Sequence, residues 1–200
     1  MSASYRQRIT ALTEKYGGEW AVQHAQRLIR LVETIGHGLA YDPEVIWLAA
    51  HMHDWGTLPR WSRDGVSHCA RSRELAAEQL RKLKLPEATA ERVLEAIQYH
   101  HGGADDRCIE AQLLRDADAL DGLGLVGLLR EFACVPTEGS SCYSIPTGYG
   151  MSGAYERARM RLENNPRMVR LPRSKKIATE RAREMRAALD AFERESFGLV

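Results

Sequence analysis

The chain has 200 residues and a mass of 22.5 kDa, the size of one ordinary domain. It is 44% hydrophobic and 28% charged, which excludes a disordered chain, and no apolar run approaches the ~20 residues of a membrane helix. The net charge of +1 is too small to make the whole chain a nucleic-acid binder, and it is unevenly spread: residues 157–186 carry eleven Lys or Arg against three acids, leaving −7 on the rest.

Taken in chain order, nearly every segment reads as helix. Residues 5–16 form a first helix stopped by Gly17-Gly18, and residues 19–35 carry an apolar stripe through Ala25, Leu28, Ile29 and Val32. Asp42-Pro43-Glu44 is a helix start, with a capping acid followed by proline at the first helical position. The helix over 43–53 is apolar on almost all sides, which predicts burial, and it ends in His51-Met52-His53-Asp54. Residues 55–66, with Gly56, Pro59 and Gly65, are a loop; Ser67 caps a helix over 67–83. Pro86-Glu87 opens another helix that runs to His100-His101, before Gly102-Gly103. Residues 107–132 read as a long helix interrupted by Gly122, Gly124 and Gly127. The polar stretch 133–152 is expected to be a loop or lid, and two basic helices, about 153–164 and 175–196, finish the chain. The expectation is one all-α domain over 1–200, with its core at about 19–132. The basic segment reads as a solvated helix face or as a wall that attracts a phosphorylated ligand.

Cys69, Cys108, Cys134 and Cys142 form no C-x-x-C pair and read as free thiols in a reducing compartment. The N-terminus has no apolar signal core, so a cytoplasmic location is expected. Trp47, Trp55 and Trp61 lie near the histidine-rich region; packing is their default role, and they leave a homo-oligomer open.

Five of the seven histidines fall between positions 51 and 101. Asp54, at the end of a buried helix, is expensive to desolvate unless a positive group meets it. Asp116, Asp118 and Asp121 sit on an otherwise apolar helix and need a partner in the same way; a divalent cation would serve both places.

The order of His24, the doublet His53-Asp54 in H-D-W-G, and Asp118 in R-D-A-D-A-L-D on successive helices resembles the HD superfamily of metal-dependent phosphohydrolases, most of all its small stand-alone members. The resemblance covers residues 20–130 or so. It implies an all-α helical bundle with a metal site between helices, and His24, His53, Asp54 and Asp118 as ligands. Asp116 is the fallback for Asp118; the two lie about 200° apart around a helix and cannot both reach one ion. Asp121 shares a face with Asp118 and would orient a ligand or a water. The mixed nitrogen and oxygen set suits one divalent ion, Mn²⁺, Fe²⁺, Co²⁺, Ni²⁺ or Zn²⁺, with Mg²⁺ also open. His68, His100 and His101 stand where some HD relatives place extra histidines, which leaves room for a second metal or for holding substrate phosphate.

The function this implies is hydrolysis of a small phosphorylated molecule, such as a nucleotide, by a metal-activated water, with Asp54 taking its proton. Among Arg60, Arg63, Arg71 and Arg115, Arg71 is the residue expected to help hold the phosphoryl group. The expected partner is thus a small phosphorylated substrate, with no membrane and no nucleic acid. Thr57 stands where many HD proteins have lysine after H-D-x-G, and where some nucleotidases of the superfamily have glutamate. Two alternatives use the same residues: a diiron oxygenase, and a ligand-sensing domain without catalysis.

Overall fold

A computed structural model describes residues 3–133 and 150–199. The described residues contain eight α-helices and no strand: α1 (Ala3–Ile35), α2 (Pro43–Met52), α3 (His68–Leu83), α4 (Glu87–Tyr99), α5 (Ile109–Asp121), α6 (Gly124–Ala133), α7 (Gly150–Met168) and α8 (Pro172–Glu195). One 3-10 turn, Trp55–Thr57, follows α2. None of these helices is long and apolar enough to cross a membrane. The chain divides into two compact units, Met1–Ala117 and Asp118–Val200.

In the first unit, α1 kinks where the sequence places Gly17-Gly18. Gly18 has φ 70° and ψ −179°, a conformation that residues with a Cβ rarely adopt. The kink re-aims the half of α1 that carries His24. Asp42 caps α2 by accepting the amide of Glu44 at 2.9 Å. Helix α2 packs against α1 and α4, and this explains why it is apolar nearly all round. Its residues Val45, Ile46, Leu48 and Ala49 are buried, as are Leu28, Val32 and Ile35 of α1 and Val93, Ala96 and Ile97 of α4. Each large side chain among them contributes about 1.5–3 kcal/mol from burial.

The 3-10 turn packs on α3 so closely that only glycine fits at Gly56. A Cβ there would lie 2.4 Å from the carbonyl of His68, and the Gly56 amide donates to Ser72 Oγ at 2.8 Å. This contact sets the start of α3, and with it His68, against the segment that carries Asp54. Ser67 caps α3 as expected, accepting the amide of Ala70.

The second unit is built from the last turn of α5 with α6, α7 and α8, and its helices α6, α7 and α8 pack on one another. The interrupted helix expected over 107–132 is two helices, broken after Asp121, with Gly124 at φ 72°. Helix α7 starts at Gly150; the expected loop lies largely outside the described residues. Fully buried Glu131 is met by Arg157, at 3.1 Å, and by Arg161. Arg181 donates to the carbonyl of Leu120 at 2.7 Å. These three members of the basic segment hold the unit together, and the other eight are exposed.

Candidate metal centre

The centre starts at the ends of two helices. The last turn of a helix leaves carbonyl groups without intrahelical partners. His53, the C-cap of α2, turns its Nδ1 back to donate to the carbonyl of Ala50 at 2.9 Å. His100, the C-cap of α4, does the same with Ile97 at 2.6 Å. Because the carbonyls accept, each Nδ1 carries a proton, and Nε2 is the nitrogen that each ring turns toward the other side chains of the site. Both rings are buried.

Those nitrogens converge on Asp54. Its Oδ2 lies 3.3 Å from His53 Nε2 and 3.8 Å from His24 Nε2, and its Oδ1 lies 3.7 Å from His100 Nε2. His24 Nε2 and His53 Nε2 are 3.3 Å apart, as are His68 Nε2 and His100 Nε2. Ligand atoms ~2.1 Å from one ion stand ~3.0 Å apart at right angles and ~3.4 Å apart at the tetrahedral angle. The arrangement therefore fits a divalent cation, by donor type and by spacing. Two sets of possible ligands in this unit reach one another, His53 with Asp54 and His100, and His68 with His100 and His101.

Burial alone would push the Asp54 carboxyl up, but His53 and His100 outweigh it and hold it well below the usual carboxylate range. Burial lowers His68 to about 4, and His100 falls below its ordinary value for the same reason. Neutral His68 and His100 are suited to ligate or to hydrogen-bond, not to attract phosphate by charge.

The other expected residues are placed as follows. Asp116 is fully buried and accepts two bonds from Arg115, at 2.9 and 3.0 Å, while Arg115 also reaches Asp105. Asp118, half-buried on α5, is the first residue of the second unit. Asp121 is paired with Arg130 at 2.5 Å. Arg71 donates to the carbonyl of Trp61 at 2.7 Å and pairs with Glu74 at 2.8 Å, so its guanidinium ties the loop before α3 to that helix. Arg60 and Arg63 are exposed, and Arg63 also faces Glu74. His51 packs on Trp47, and His37 is exposed. Trp55 is buried, donating to Thr13, and packs against Trp61.

Two neighbours went unnoticed in the sequence. Cys69, a free thiol like Cys108, has its sulfur 3.4 Å from His68 Nε2. Trp20 stacks on His24, and their four-residue spacing on one helix was the available clue.

The family model of the HD domain matches residues 21–123. No curated protein matches the chain. Among solved structures, it is similar to YpgQ of Bacillus subtilis, with 23% identity and a TM-score of 0.68 over 96% of this chain and 95% of that one. A Lactobacillus plantarum protein matches at 18% identity and a TM-score of 0.69, over 98% of both chains. An HD-superfamily hydrolase from Bacillus thuringiensis matches at 21% and 0.65, over 95% of both. YpgQ has also been solved in complex with ADP; that structure matches at 22% and 0.67, over 96% of this chain and 95% of that one. At these identities the likeness establishes the shared all-α fold.

Proposed function

The chain belongs to the HD domain family, and from that premise we propose that it is a metal-dependent phosphohydrolase acting on a small phosphorylated molecule, a nucleotide first among them. The observation that carries this reading is the convergence of His24, His53 and His100 nitrogens on one ionised carboxylate, Asp54. Support for a nucleotide comes from the ADP complex of the similar YpgQ.

In this proposal His24, His53, Asp54 and Asp118 hold the ion. The choice of Asp118 over Asp116 is supported by the commitment of Asp116 to Arg115. The bound divalent ion supplies Lewis acidity and a water of lowered pKa. Asp54 stays ionised across the working pH range, which suits a ligand. The same low pKa makes it a weak base, so its main task is to orient the attacking water. His68, His100 and His101 line the far side of Asp54. There His68 and His101 donate hydrogen bonds to phosphoryl oxygens, or all three ligate a second ion. Arg71 is not needed for this scheme, because Trp61 and Glu74 already engage it.

The test is a panel of nucleotides and simple phosphate esters with Mn²⁺, Co²⁺ or Ni²⁺. The expected result is phosphate release from at least one, lost in Asp54→Ala. Demonstrably bound metal with no release from any member refutes the proposal. Two bound irons, with a near-ultraviolet charge-transfer band and oxygen uptake, would point to the oxygenase instead.

A further inference from the structure

Within the basic segment, Arg157, Arg161 and Arg181 serve the second unit's own packing, and Arg170 donates to the carbonyls of Arg167 and Val169 at the turn into α8. Further along α8, Lys175, Lys176, Arg183 and Arg186 are all exposed. At 3.6 residues per turn the four lie within an arc of about 100° and span about 16 Å along the axis. Over residues 175–186 only Thr179 shares that arc; Glu180 and Glu184 fall outside it. Among the described residues no carboxylate pairs with any of the four. The buried residues of α8, Ser174, Ala178, Met185 and Leu189, lie on another face. Stability does not explain this placement. The N-terminal end of a helix carries partial positive charge and favours acids. The first turn of α8 holds no acid, but Arg173 and Lys175, with Lys176 next. A local rule broken without a structural gain points to a functional surface.

We propose that this strip of α8 binds the phosphodiester backbone of a nucleic acid. A strand places a phosphate every ~3.4 Å along a duplex axis, so a row of cations about 16 Å long meets about five of them. The strip has no apolar or aromatic member. A protein interface is centred on such side chains and depleted in charge, and a helix that lies on a membrane sinks an apolar face into it. The apolar face of α8 is already occupied by α6 and α7. Interfaces with nucleic acid are the ones rich in positive charge. The net charge of +1, which argued against such a partner for the whole chain, averages this segment with an acidic remainder. The contact acts through charge, reads no base sequence and is independent of the metal centre.

The experiment follows the fluorescence anisotropy of labelled DNA and RNA oligonucleotides, single-stranded and duplex, with the whole chain in chelator. Duplex DNA is expected to bind, with an affinity that falls about 150-fold between about 50 and 200 mM salt, the dependence for four phosphate contacts. Lys175→Gln/Lys176→Gln and Arg183→Gln/Arg186→Gln should each weaken binding at least about tenfold at low salt and reduce the salt slope by about 1.8. Arg8→Gln/Arg73→Gln, which removes two exposed cations of the first unit, should leave affinity and slope unchanged. Lys175→Gln/Lys176→Gln should melt no lower than wild type, because neither lysine serves the helix; a lower Tm refutes that step and overturns the inference. Absence of binding to every oligonucleotide at about 50 mM salt overturns it too, as does a salt slope that both α8 variants leave unchanged. Binding to phosphatidylserine vesicles but to no oligonucleotide would replace the nucleic acid with a membrane surface.

Discussion

Replacing Asp54 with asparagine preserves the side-chain shape and removes only the anion that three imidazoles face. The consequence can be worked out as a stability. At a free Mn²⁺ concentration of about 100 times the Kd, binding to the native state alone adds about 2.7 kcal/mol. For a chain of this size 1 kcal/mol corresponds to about 2–4 °C in Tm, so wild type should melt about 5–11 °C higher with the ion than in chelator. Loss of a residue that merely orients a metal ligand weakens binding about 10–100-fold, and loss of a direct ligand should reach at least the upper end. At a 100-fold loss the same Mn²⁺ concentration only equals the Kd. The added stability then falls to about 0.4 kcal/mol, or about 1–2 °C. The assay is a pair of thermal melts, with and without Mn²⁺, for wild type and Asp54→Asn. Because each protein is compared with its own chelated form, any change that asparagine makes to the metal-free fold cancels. A full wild-type shift in Asp54→Asn would refute the assignment of Asp54 to the centre.

The two aspartates of α5 separate by different losses. Asp118→Ala should abolish bound metal in elemental analysis. Asp116→Ala should retain metal but lose about 3 kcal/mol in urea unfolding, because buried Arg115 keeps only Asp105; the reverse pattern would exchange their roles. A third prediction concerns His51, whose pKa burial lowers from 6.5 to about 4, against the opposing pull of the Trp47 carbonyl. Between those values the unfolded chain holds a proton that the native chain does not. Stability should thus fall as pH falls from 6.5 toward 4, by about 3 kcal/mol from this residue alone. In chelator, His51→Gln should flatten that part of the stability profile relative to wild type, and parallel profiles would show that His51 is not held neutral.

Features that act within a few residues were legible in the sequence. The Asp42-Pro43 start of α2, the Ser67 cap of α3, and the Gly17-Gly18 interruption all follow from local backbone chemistry, and each is where the spacing put it. So was the conjunction of His53 with Asp54 at the end of a buried helix, because an apolar helix ending in a charged group demands a partner. The sequence could not say which arginine serves which acid. Arg71 looked available for phosphate one turn after His68, yet its partners are a carbonyl ten residues earlier and a glutamate on its own helix. Buried Glu131 and its two arginines are 26 and 30 residues apart, and nothing in local spacing announces that pairing. The same distance problem hid the closeness of the two helix ends that carry His53 and His100.

Those two ends also settle a competition that sequence alone leaves open. A helix C-terminus carries partial negative charge and favours an imidazolium. Burial opposes it, and at His100 burial wins, since the pKa falls and does not rise. The dipole is worth about 0.3–1 kcal/mol, whereas desolvating a charged ring costs several times that. The outcome decides what the site attracts. Had His100 been cationic, the pocket would have drawn a phosphate directly. Uncharged His68 and His100 beside the ionised Asp54 carboxylate make a site that draws a cation. In the proposed reaction a phosphorylated substrate then enters a site whose positive charge comes from the ion and not from the histidines. Metal affinity and substrate affinity should accordingly be lost together when Asp54 is changed.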